Sequence, residues 1–158
     1  MRLTKQTNYA IRILMYCAAN DGKLSQIPEI ATAYNLSEAF LFKILKPIVK
    51  HGFAESIRGR NGGIHLAKPA SDIRLSDVVR ITEDNFAMAD CFESDGTDCP
   101  LIDHCGLNSA LREALNAFFA VLDKYTIQDI ASSNSRIDEL LGLHLLEGYE
   151  GPGMKAVQ

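Results

Sequence analysis

No stretch of this 158-residue sequence is long and apolar enough to span a bilayer. The opening, MRLTKQTNYAIRILMYCAAN, starts basic and turns apolar. Thr4, Gln6, Thr7, Asn8 and Arg12 nevertheless interrupt the continuous apolar run that a secretory signal needs. The expected setting is therefore the cytoplasm, with no membrane partner. Marks of catalysis are missing too. There is no phosphate-binding glycine loop, no hydrolase zinc spacing and no nucleophile set beside a base, so neither an enzyme nor a small-molecule substrate is expected. No segment repeats. Cysteine is scarce, at four residues, and no Cys-x2-Cys pair occurs, which counts against a structural zinc site.

What is there is unevenly spread. Residues 1–80 hold twelve Lys and Arg against six Asp and Glu, a net of +6, whereas residues 81–158 hold four against fourteen, a net of −10. A basic front and an acidic back point to a polyanion-binding module joined to something that is not one. The length allows one solid core plus a small appendage.

The front half reads as helices and a hairpin. Tyr9, Ile13, Tyr16 and Cys17 recur at helical spacing from Lys5 to about Ala19, with Thr4 as N-cap and Gly22 as stop. Cys17, alone among apolar neighbours, reads as a packed core thiol. A short helix follows near Pro28 to Tyr34, preceded by Ser25, and after Asn35-Leu36 a second runs from Glu38 to His51, capped by Ser37 and closed by Gly52. Two short helices across a tight turn form a helix-turn-helix. Leu41, Ile44, Leu45 and Ile48 share one face of the second helix, and Lys43, Lys46 and Lys50 make a basic stripe on another. Pro47 inside it predicts a bend or an early end. Beyond Gly52, alternation around Gly59-Arg60-Asn61-Gly62-Gly63 predicts a β-hairpin, the wing.

The back half carries a short helix from Asp77 to Thr82 with Ser76 as cap. A polar loop follows, and then an apolar ridge from Leu107 to Tyr125 of about five turns. Such a helix either folds back on its own domain or pairs with its copy in a homodimer. Thr126 caps a helix from Ile127 to Ser132, and Ile137 to Leu146 adds a turn or two. The expected fold is mainly α with a small β-hairpin: a winged helix-turn-helix DNA-binding domain and a long C-terminal dimerisation helix. Its expected divisions are 1–83 for the DNA-binding domain, 84–106 for a cysteine-rich loop, 107–132 for the dimerisation helix and the short helix after it, and 133–158 for a helical segment and tail.

Reading duplex DNA needs cations for phosphates and donors near a helix N-terminus for base edges. Ser37, Glu38, Ala39 and Phe40 occupy that N-terminus, with Lys43 one turn on. Ser37 and Lys43 are assigned to phosphate or base contacts, and Phe40 either to a thymine methyl or to local contacts. Glu38 suits the helix dipole and could accept from cytosine, yet repels phosphate. On the wing, Arg58, Arg60, Asn61 and Gly62 suit a minor-groove or backbone contact.

The polar loop packs Cys91, Cys99 and Cys105 into fifteen residues among Asp90, Glu93, Asp95, Asp98 and Asp103. Thiolates gathered on a polar loop are what zinc or an iron-sulfur cluster binds, and a disulfide is the alternative. Three thiolates leave a tetrahedral site one ligand short, with His104 and the acidic residues nearby.

The opening MRLTKQTNYAIRILMYCA, the wing stretch RGRNGGIHLAKPASDIRLSDVV and the three-cysteine loop before a long helix resemble the winged-helix iron-sulfur transcriptional regulators of the IscR and NsrR type. The segment ITEDNFAMADCFESDGTDCPLIDHCGLNSALREALNAFFAVL is most similar to their rhizobial iron-regulator (RirA) branch. The resemblance covers Met1 to about Ile130. It implies a homodimer on double-stranded operator DNA, with Cys91, Cys99 and Cys105 ligating one iron-sulfur cluster per subunit, of the 4Fe-4S kind. It further implies repression of iron-uptake genes while iron is ample, with oxygen or nitric oxide as other signals. In some members an aspartate near the start of the first helix, or a histidine three residues after the last cysteine, completes the coordination. Here those places hold Asn8 and Asn108, and solvent or a small thiol could supply the fourth ligand. The competing readings are a zinc-bound or thiol-redox repressor and an iron-sulfur electron carrier.

Overall fold

Thr4 starts the first helix, accepting the Thr7 amide on its hydroxyl at 3.2 Å. The computed structural model describes residues 2–20, 23–59, 62–92, 104–133 and 136–143. Helix α1 runs Lys5–Ala19 and buries Ala10, Ile13, Leu14, Tyr16 and Cys17. Each fully buried Ile or Leu on that stripe contributes roughly 1.5–3 kcal/mol, and α1 is the central element on which the others settle. Its expected stop at Gly22 lies outside the described residues, and the observed C-cap is Asn20.

Helix α2 spans Ile27–Tyr34 and α3 spans Glu38–Lys50. Asn35, left-handed at φ 51°, turns one into the other, and the Leu36 amide donates to the Ala31 carbonyl at 2.8 Å. Helix α2 starts one residue before the expected Pro28, which lies in its first turn. Gln26 is its cap, with its amide donating to Glu29 Oε2 at 3.2 Å. Ser25 instead forms a one-residue bridge to Ile64, with both amide-to-carbonyl bonds at 2.8 Å. Its hydroxyl also accepts from Asn20 Nδ2 at 3.0 Å. Pro47 does not end α3, which continues to Lys50 with His51 as C-cap. The lost bond falls on the Lys43 carbonyl, on the exposed side of the helix, where water can replace it.

Strands β1, Ala54–Ile57, and β2, Gly63–Leu66, pair antiparallel with Ala54 opposite Leu66 and Ile57 opposite Gly63. The expected alternation of burial is absent: Ala54 is buried, while Glu55, Ser56 and Ile57 are all exposed. Ser56 and Ile57 have nothing over them, whereas Gly63 and Ile64 opposite them on β2 are buried against Ser25. Gly63, beside the turn, lies against the Ser25 backbone, where a Cβ would stand 2.5 Å from the Ser25 carbonyl oxygen.

After a 3-10 turn at Ala70–Asp72, α4 spans Leu75–Thr82. Ser76 is not its cap, because the helix begins one residue earlier and Ser76 is buried on its inner side. The amino end of the chain is tied here, the Thr4 amide donating to Glu83 Oε1 at 2.7 Å. A second 3-10 turn covers Asp90–Phe92, and α5 runs Gly106–Leu122, ending three residues before the expected Tyr125. Helix α6, Ile127–Ser132, opens on the predicted Thr126 cap, with Asp129 answering it. It returns to α1 and the Ala70–Asp72 turn: the Ile127 amide donates to the Ile73 carbonyl at 2.9 Å, and Ile127 is fully buried. Helix α7 is one turn, Ile137–Leu140, and residues 144–146 of the expected stretch lie outside the described residues.

In α5 Phe119 is the one buried residue; Leu107 is 65% exposed and Val121 51%. The helix does not fold back over its own domain. It touches the winged helix near its carboxyl end, where Phe119 takes the Phe86 ring edge-on at 4.8 Å and the Arg80 guanidinium at 3.7 Å. The chain is thus mainly helical with a two-stranded hairpin, as its sequence implies.

Candidate nucleic-acid interface and cysteine site

The buried stripe of α3, Leu41, Ile44, Leu45 and Ile48, decides what faces outward. Ala39, Phe42, Lys43, Lys46 and Lys50 occupy the opposite side and are exposed. Ser37 caps the helix, its Oγ accepting the Phe40 amide at 3.3 Å, which leaves the hydroxyl hydrogen free to donate outward. Glu38 is exposed in the first turn, where its charge complements the helix dipole. Phe40 is half-buried and meets the Tyr9 ring edge-on at 5.9 Å, so of its two expected roles the local one is what the structure displays. Phe42, which sequence reasoning passed over, is 57% exposed in the centre of the outward stripe. Counting positions against the buried face would have found it.

Between α3, the first turn of α2 and the hairpin lies a groove of about 780 Å³, with Phe42, Leu45, Val49 and Ile57 inside and Lys46, Lys50 and Arg58 around it. Arg58 is exposed on the wing. Arg60 and Asn61 lie outside the described residues. Gly62 closes the wing turn, its amide donating to the Gly59 carbonyl at 3.0 Å, and a Cβ there would collide with the Ile57 carbonyl.

The cysteines divide as their neighbourhoods predict. Cys17 is buried, and desolvation pushes its thiol up to about 12, against a smaller lowering from the Ser25 hydrogen bond. Cys91 and Cys105 are half-exposed and not disulfide-bonded. Cys105 is the N-cap residue of α5. Cys91, in the Asp90–Phe92 turn, accepts a hydrogen bond from Asn108 Nδ2 at 3.1 Å, in the first turn of the same helix. The structure thus brings both thiols to the amino end of α5. Cys99 lies outside the described residues, and among the described ones no three His, Cys, Asp or Glu side chains gather as a metal site. His104 is exposed just before α5, and Asn8 is exposed in the first turns of α1. Two half-exposed soft donors at a helix amino end, flanking the segment that holds the third, fit an iron-sulfur cluster's ligand chemistry.

A helix-turn-helix with a basic outward stripe, followed by a hairpin carrying arginine, defines a winged-helix DNA-binding protein. Residues 3–133 match the family model Rrf2, described as an iron-dependent transcriptional regulator, and the chain belongs to that family. It is 65% identical over 143 residues to Protein aau3 of Rhizobium meliloti (strain 1021), covering 90% of this chain and 93% of that one. It is 42% identical over 142 residues to the HTH-type transcriptional regulator NsrR of Bacillus subtilis (strain 168), covering 89% and 97%. Among solved structures, CymR of B. subtilis, called the global cysteine regulator, superposes with a TM-score of 0.66 at 26% identity, over 85% of this chain and 99% of that one. IscR of T. potens gives a TM-score of 0.66 over 84% and 87%, and at 23% identity shares the fold alone. The chain is a DNA-binding transcriptional regulator, not an enzyme. Among the described residues no helix is long and apolar enough to cross a membrane.

Proposed function

We propose that this protein is a homodimeric repressor of iron-uptake genes whose grip on operator DNA is governed by a 4Fe-4S cluster held by Cys91, Cys99 and Cys105. The observation that carries this reading is the hydrogen bond from Asn108 to Cys91, which sets that thiol on the turn of α5 capped by Cys105. Cys91, Cys99 and Cys105 would hold the cluster, which would make the ordering of this segment depend on iron. The chain's own residues transmit the change. Helix α5 carries the cysteine end at one terminus and, at the other, the contacts Ser76 to Asp123 and Arg80 to Phe119 that hold it to α4. Half-sites lie a fixed distance apart along the duplex, so the setting of α5 in each subunit governs whether both winged helices engage together. Leu107, Leu111, Leu115, Phe118 and Val121 supply the dimer seam.

For DNA, Ser37, Ala39, Phe42, Lys43, Lys46 and Lys50 face the major groove, with Glu38 at the edge of that face. Phe42 replaces Phe40 as the candidate for a thymine methyl, since the Phe40 ring is taken by Tyr9. Arg58, Arg60 and Asn61 reach the backbone or minor groove, and Gly62 shapes the turn that presents them.

The deciding experiment titrates an iron-uptake promoter fragment with anaerobically purified protein before and after iron chelation, beside the triple Cys91, Cys99, Cys105→Ala variant. Brown protein containing iron and sulfide, whose tight binding is lost on chelation and in the variant, is expected. A colourless zinc protein, or a variant that binds as tightly as the loaded protein, overturns the reading.

A further inference from the structure

Asn108 stands one helical turn before Arg112 on α5, and the pair makes a directed chain of contacts. Arg112 Nε donates to Asn108 Oδ1 at 2.7 Å. Because a guanidinium can only donate, this bond fixes the otherwise ambiguous amide: its oxygen faces Arg112 and its NH2 group faces Cys91. Asn108 Nδ2 then donates to Cys91 Sγ at 3.1 Å. The Arg112 guanidinium itself lies 4.9 Å from the centroid of the Phe92 ring, the residue next to Cys91 in its turn. Two residues of α5 therefore grip both the sulfur and the turn that carries it.

We propose that Asn108, oriented by Arg112, is a positioning residue that hydrogen-bonds the Cys91 sulfur and so sets the stability and reduction potential of the cluster, without ligating it. The inference rests on the cluster reading above and deepens it. An N–H aimed at a coordinating sulfur withdraws charge from it, which favours the more negative, reduced form and raises the potential. It also holds the ligand in its orientation before metal arrives, and losing such outer contacts commonly weakens metal binding by about 10- to 100-fold. Arg112 holds the amide oxygen on the side away from the sulfur, and the nitrogen that faces Cys91 has no lone pair to give iron.

The test uses the full chain, reconstituted anaerobically with ferrous iron and sulfide, as wild type, Asn108→Asp, Asn108→Leu and Arg112→Gln. Both Asn108 variants are expected to show a lower midpoint potential and roughly tenfold faster loss of the visible chromophore to a chelator. Arg112→Gln, which leaves the sulfur untouched, should fall between them and wild type. In the metal-free chain, the side-chain amide resonances of Asn108 should move in a Cys91→Ala variant. Folded, iron-loaded Asn108 variants with wild-type potential and loss rate overturn this inference alone. Unmoved amide resonances overturn the contact itself, whatever metal is bound. A wild-type chain that takes up no iron overturns the reading beneath it, even where the amide contact is found.

Discussion

The Ser76 hydroxyl, buried on α4, donates to the Asp123 carboxylate at the carboxyl end of α5, residues separated by 47 positions in sequence. The next turn of α4 repeats the attachment with the Arg80 guanidinium over the Phe119 ring. The long helix is thereby fastened to the DNA-binding unit at its far end, while its amino end, with Cys105, meets the Asp90–Phe92 turn. Removing the two partners should have unequal effects. Asp123→Ala leaves a buried hydroxyl unsatisfied and should cost ~1–3 kcal/mol, whereas Ser76→Ala leaves an exposed carboxylate that water can solvate and should cost ~1 kcal/mol. Urea unfolding of the two variants checks the order.

Phe40 and Phe42, two positions apart, point to opposite fates. Phe40→Ala removes a half-buried ring from Tyr9 and should lower stability by ~2 kcal/mol. Phe42→Ala should leave stability within about 0.5 kcal/mol. On operator DNA it should nevertheless weaken binding by roughly tenfold, the loss of ~1.4 kcal/mol expected when an apolar contact is removed. Thermal unfolding and operator titration of both variants separate the two effects. If Phe42 meets a thymine methyl, a uracil-substituted operator should weaken wild type and leave Phe42→Ala unchanged.

An acidic residue on the exposed face of α5 should separate the subunits. Val121→Asp is expected to give a folded monomer in sedimentation, because the position is open to solvent in the single chain and contributes little to its core. Losing the second winged helix should reduce operator affinity by roughly 100-fold, the scale on which two linked sites exceed one.

Alkali should unfold the protein through its core. The Cys17 thiol is raised from 9.0 to about 12 by burial, and the Tyr16 hydroxyl from 10.0 to about 12, chiefly by the same cause. Both groups are neutral when protonated, and between pH 9 and about 12 the unfolded chain gives up protons that the folded chain keeps. Their contribution is complete below pH 9 and is lost as pH rises toward 12. The urea midpoint should fall from pH 8 to pH 10.5, and Cys17→Ala should reduce that fall. At pH 8 a thiol reagent should label Cys91 and Cys105 in metal-free protein and spare Cys17.

Much of this architecture is carried by short-range signals. Thr4, Ser37 and Thr126 cap helices where the sequence places them, because a cap acts over three residues and needs no distant partner. The buried stripe of α3 follows from its period, as does the basic stripe opposite. Ser76 looks like a cap by the same local rule and Ser25 precedes a helix, yet both bond distant partners, Asp123 and Ile64. Their hydroxyls and backbone are buried at junctions between elements, and a buried polar group must be satisfied wherever the fold provides a partner. The loss of alternation in β1 has a similar origin, since burial depends on what lies across from a strand.

The sequence by itself determined the class of protein: helical periods, caps, a glycine-rich turn bearing arginine, and three thiols in a polar segment, all signals that act within a few residues. Tertiary structure alone decided which aromatic ring of α3 is open to a partner, and which amide reaches the Cys91 sulfur. It also decided that α5 meets the Asp90–Phe92 turn at its amino end and α4 at its carboxyl end, with most of its length exposed. These outcomes depend on side chains distant in sequence meeting in space, and the free energy of such contacts exists only after the chain has closed around α1.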